Sequence, residues 1–88
     1  MTDSETVLSA DWEDVYQLCD AICALEVARA ALAAAHCHEA GSGVRRALVE
    51  ARCGLAARTL ALGSDRPPYI RRALDRVARA SRGGLACH

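Results

Sequence analysis

"AHCHEAGSG" (residues 35–43) is where an otherwise unbroken helical pattern meets residues that interrupt it. Where the break falls decides how many helices there are and which side chains can meet. Glycine takes the left-handed conformation of a helix C-terminal cap at little cost, so Gly41-Ser42-Gly43 reads as a tight connection between two helices. Toward the N-terminus nothing breaks the pattern back to Ser9 and Asp11. Either can cap a helix whose first turn, in "ADWEDVYQL" (10–18), carries the acids that a helix N-terminus favours. A first helix is expected over about residues 10–39, and a second over about 44–62, closed by Gly63.

"SDRPPY" (64–69) restarts the chain, with Ser64 or Asp65 as a cap and the prolines in a first helical turn. A third helix then spans about 67–82 and ends at Gly83-Gly84. This leaves an acidic, flexible tail at 1–8, one domain over 9–82 and a short tail at 83–88. Short connections set successive helices antiparallel. The expected fold is all-α, an antiparallel three-helix bundle with a long first helix.

Composition agrees and adds a constraint. Of 88 residues 19 are alanine, and only Trp12, Tyr16 and Tyr69 are aromatic, which favours helix and makes for a thin core. A chain this short is marginally stable alone, so it is expected to dimerise or to join a larger helical assembly. The charge is zero in total and divided in space. Residues 1–42 carry eight acids and one arginine, a net of −7, and residues 43–88 carry ten arginines and three acids, a net of +7. The halves should attract, within one chain or between chains. No apolar run approaches the length of a membrane span, and the N-terminus is acidic, unlike a secretory signal. A cytoplasmic location without membrane association is expected, with the five cysteines as thiols or metal ligands, since an odd number cannot all pair internally.

Projection at 100° per residue assigns the faces. The third helix is amphipathic: Ile70, Ala73, Leu74, Val77 and Ser81 share one side, and Arg71, Arg72, Asp75, Arg76, Arg79 and Arg82 cover the rest. The second helix has two apolar stripes, Val44, Leu48, Ala51, Leu55 and Leu62 on one side and Val49, Cys53, Ala56 and Leu60 roughly opposite. Either it sits between the other two helices, or it covers the first and offers its spare stripe to a second subunit. The second arrangement is favoured, because so little else can be buried. In the first helix Cys19, Glu26 and Ala33, Ile22, Arg29 and His36, and Cys23, Ala30 and Cys37 fall in one broad sector with Trp12, Val15 and Leu18.

Four groups of residues can carry chemistry. His36, Cys37 and His38 cannot converge on one ion in regular helix. If the last turn unwinds, an up-down-up bundle brings Cys87 and His88 toward them, a nitrogen and thiolate mix suited to Zn or Cu. The plainer alternative is a polar helix end and a frayed tail. Cys19 and Cys23 lie one turn apart and, with Cys53, form a candidate second thiol cluster, although packing as small hydrophobes is the stronger reading. Glu26 on a packed face requires a partner, and Arg52 or Arg58 of the antiparallel second helix is at about the right distance from the turn. The face Arg71, Arg72, Arg76, Arg79 and Arg82 can contact phosphates, but no aromatic residues interleave with it and the acidic first half opposes a polyanion.

No phosphate loop, strained serine turn or metalloprotease spacing is present, so the sequence points away from an enzyme. The leading expectation is a small intracellular interaction or accessory protein, a homo-oligomer or one bound to a protein partner through the second helix. A Zn- or Cu-binding or thiol-redox protein is the alternative, and arginine-mediated nucleic-acid binding ranks third.

Overall fold

The computed structural model describes the backbone of residues 2–86 and the side chains of residues 12–82. It contains three helices, α1 (Thr2–Ala34), α2 (His38–Leu62) and α3 (Pro68–Ala86), and no strand among the described residues. The all-α three-helix bundle with a long first helix is therefore what this chain forms. Glu26 meets Arg52 while Asp14 lies 4.0 Å from Arg58, so α1 and α2 run antiparallel. Tyr16 stacks near Tyr69, and Asp20 lies 3.3 Å from Arg76, so α3 runs parallel to α1.

The boundaries depart from expectation at three places. Residues 2–8, expected as a tail, are the first turns of α1. The connection is not Gly41-Ser42-Gly43 but Ala35-His36-Cys37, and the glycines belong to the first turns of α2. The geometry of the turn explains this. His36 has φ 59°, its amide donates to the carbonyl of Ala33, and the amide of Cys37 donates to that of Leu32. These are the two hydrogen bonds of a Schellman motif with His36 at the left-handed position usually held by glycine. Histidine is among the non-glycine residues enriched there. Finally, α3 runs through Gly83-Gly84 to Ala86. Gly63, by contrast, ends α2 as expected, with φ 90° and ψ −168°, a conformation nearly reserved for glycine.

Placing Gly43 inside a helix has a testable consequence. A Cβ added there meets nothing within 4 Å, so Gly43→Ala is expected to stabilise the protein by about 0.5–1 kcal/mol. Urea denaturation would read this as a raised midpoint at constant slope. A lowered midpoint would return Gly43 to a loop that needs its conformational freedom.

The core lies on one face of α1. Val15, Cys19 and Ile22 of α1, Leu48 and Leu55 of α2, and Ile70 and Ala73 of α3 are buried together. Trp12, Tyr16, Leu18, Leu25, Leu74 and Val77 pack around them. Both α2 and α3 pack on α1 and not on each other, so the middle helix is α1. Its sequence carries the reason: between Val15 and Ala34 it has only three charged residues, Asp20, Glu26 and Arg29. The second helix is not sandwiched within the chain; one of its stripes covers α1 and the other faces out, which rules out the first of the two arrangements expected. No helix among the described residues is long and apolar enough to cross a membrane.

Candidate functional site

The polar centre of the fold is Glu26. The apolar periodicity of α1 carries it onto the packed face one turn beyond Ile22, where it is only 7% exposed. Arg52 of α2 pairs with its Oε2. Arg29, one turn along α1, donates from Nε to Oε1 at 3.1 Å. The Ser81 hydroxyl of α3 lies 3.5 Å from Oε2 and accepts a 2.6 Å hydrogen bond from Arg52. One carboxylate thus holds groups from all three helices, and the Arg52–Ser81 contact joins α2 to α3, which otherwise do not pack. Arg52 was one of the two expected partners of Glu26. Arg58, the other, instead reaches Asp14 with both side chains about half exposed; it sits nearly two turns further along α2, beyond reach of Glu26. The sequence places Ser81 on the inward face of α3 but carries no signal of its polar partner, since it stands among alanines and arginines.

The basic face of α3 is where the projection put it, with Arg71, Arg72, Arg76, Arg79 and Arg82 all exposed. Part of it is already engaged: Arg76 pairs with Asp20 at 3.3 Å and Arg79 with Asp75, one turn away, at 3.3 Å. The ion pairs between helices, Glu26–Arg52, Asp14–Arg58 and Asp20–Arg76, each join an acid of the negative half to an arginine of the positive half. The attraction expected between the halves therefore operates within one chain.

The thiols separate into two environments. Cys19 is fully buried beside half-buried Cys23. Burial pushes the Cys19 thiol up, and the neighbouring Cys23 adds to the rise while Arg76 opposes it. Without a metal beside it, Cys19 is therefore a neutral packing group at physiological pH. Cys37 and Cys53 are exposed. Cys53 lies on the outward side of α2, so the expected cluster of Cys19, Cys23 and Cys53 does not assemble.

His36, Cys37 and His38 are all exposed at the α1–α2 turn, with the two imidazole centroids 6.4 Å apart and the Cys37 Sγ 3.8 Å from the carbonyl of Ala35. The end of α3 returns to the same end of the molecule, as the up-down-up order requires, but Cys87 and His88 lie outside the described residues. Among the described residues no three of His, Cys, Asp and Glu gather closely enough to hold a metal ion.

What remains is the outward stripe of α2. Val49, Cys53, Ala56 and Leu60 are all exposed, Val49 to 62% and Leu60 to 85%. They recur at spacings of four, three and four, the seam of a helix that packs against another helix. The opposite face of the same helix is occupied by Leu48, Leu55 and Gly41 against α1. No protein-family model matches this chain, no curated protein matches it, and no solved structure matches its fold.

Proposed function

We propose that this protein is a small helical interaction module that docks the outward face of α2 onto another helix. The observation that carries the reading is the exposed seam of Val49, Cys53, Ala56 and Leu60, set apart around the helix from the stripe that builds the core. Two large apolar side chains stand at its ends. Between them Cys53 and Ala56 are small enough for a partner helix to approach closely. Full burial of a valine or leucine side chain contributes about 1.5–3 kcal/mol, a large increment for a chain whose own core has seven buried apolar side chains among the described residues. A cytoplasmic setting fits this reading, since an exposed Cys53 on a docking seam survives as a thiol only where the compartment is reducing.

The test is site-specific photo-crosslinking of the full chain in its source cells, with a photoreactive residue in turn at Val49, Ala56 and Leu60, and at exposed Arg79 of α3 as control. The seam positions are expected to give one discrete adduct, and Arg79 none. Adding Leu60→Glu while probing from Ala56 should reduce that adduct by about tenfold or more, because a carboxylate would be buried without a partner, with helix content and melting unchanged. Absence of an adduct from all three seam positions, or an equal one from Arg79, would remove the reading.

A further inference from the structure

The charges beside the seam say which partner it fits. Along α2 the seam residues fall at heptad positions d (Val49), a (Cys53), d (Ala56) and a (Leu60), and this places Arg45 at g and Glu50 at e. The two flank the seam on opposite sides, 140° apart around the helix at 100° per residue. Both are exposed, and neither has an ion-pair partner within the chain among the described residues. We propose that the occupant of the seam is a second copy of this chain, its α2 lying parallel and in register, with Arg45 of each copy paired to Glu50 of the other. This inference rests on the reading of α2 as a docking helix and adds the identity and direction of its partner.

The register follows from helix geometry. In a parallel two-stranded pair a g residue meets the e residue five positions later on the opposite helix, and Arg45 and Glu50 are five apart. The two-fold axis makes the same pair twice. Val49 then faces the partner's Val49, Cys53 the partner's Cys53, Ala56 the partner's Ala56 and Leu60 the partner's Leu60. Arg46 heads the seam at the preceding a position, one turn from Glu50, which offsets the like charge there. An antiparallel pair is disfavoured by the same charges, because it sets g against g. The g flank of α2 holds Arg45 and Arg52 and no acid, so arginine would meet arginine. The core residues Leu48 and Leu55 lie off the a and d positions and are left intact, while Arg52, at g, borders the seam with its guanidinium turned to Glu26.

The experiment is sedimentation equilibrium of the full chain in reducing buffer over a wide concentration range. Wild type is compared with Arg45→Glu, Glu50→Arg and the double reversal. Wild type is expected to populate a dimer. Each single reversal turns two attractive pairs into two repulsive ones and should weaken dimerisation by about tenfold at low salt. The double reversal should recover wild-type association to within about twofold, and high salt should narrow all the differences. Circular dichroism checks that each variant keeps its helices. A dimer indifferent to both reversals, or one that the double variant fails to restore, overturns the parallel pairing. A chain that stays monomeric while its seam still crosslinks to a different polypeptide overturns self-pairing and leaves the docking role of α2 standing; loss of both overturns both.

Discussion

Replacing Ile22 with alanine is expected to cost about 3–4 kcal/mol and to lower the melting temperature by roughly 15 °C or more, within the ranges for large-to-small core substitutions in domains of this size. Ile22 is fully buried at the centre of the face where α1 meets both other helices. It shares one cluster with Leu48 and Leu55 of α2 and Ile70 of α3, so its truncation opens a cavity among side chains of all three helices. A loss of this size is a large part of the total stability of a small domain, so partial unfolding at room temperature is the expected phenotype. Val27→Ala on the same helix is the control: Val27 is 71% exposed, and its truncation should change stability by no more than about 0.5 kcal/mol. Urea denaturation followed by circular dichroism measures both. An Ile22→Ala cost under about 1 kcal/mol would mean that the shared core on this face does not exist.

Arg52→Ala is the second large effect. Breaking a fully buried ion pair by removing one partner costs about 3–5 kcal/mol. Arg52 is itself 44% exposed and Arg29 remains beside Glu26, so a loss of about 2 kcal/mol is expected here. The variant leaves a carboxylate in the core held by its own helix and by Ser81, and it removes the hydrogen bond that joins α2 to α3. Arg58→Ala breaks an exposed pair at 4.0 Å and should cost no more than about 0.5 kcal/mol. Equal losses at the two positions would contradict the central role of the Glu26 cluster. Adding Glu26→Leu to Arg52→Ala should recover part of the loss, because an apolar side chain there no longer needs a partner.

Different parts of this architecture were legible to different degrees. The amphipathic third helix was plain from Ile70, Ala73, Leu74 and Val77 against six charged neighbours, since an edge helix has one wet face and one dry one. Both stripes of the second helix were legible for the same reason, and antiparallel hairpin register, a matter of distance from the turn, narrowed the partner of Glu26 to Arg52 or Arg58. The middle helix was harder. Alanine is compatible with a buried or an exposed face, so an Ala-rich helix covered on two sides has weak periodicity. Its scarcity of charge was the available signal. The turn falls before Gly41 because glycine is a strong stop signal only on average. The Schellman hydrogen bonds at His36 end α1 before Gly41 is reached, and Gly41 then continues the buried stripe of Leu48 and Leu55.

The amino-acid pattern alone thus determined the helical class, three elements in up-down-up order, the faces of α2 and α3 and the charge match between the halves, because all of these follow from local propensity and from period. Tertiary packing decided which helix lies in the middle, which arginine reaches Glu26, and that Cys19 is enclosed while Cys53 faces out. Those outcomes depend on which surfaces are closest once the chain has turned, and a single residue in the left-handed conformation, His36, sets that turn.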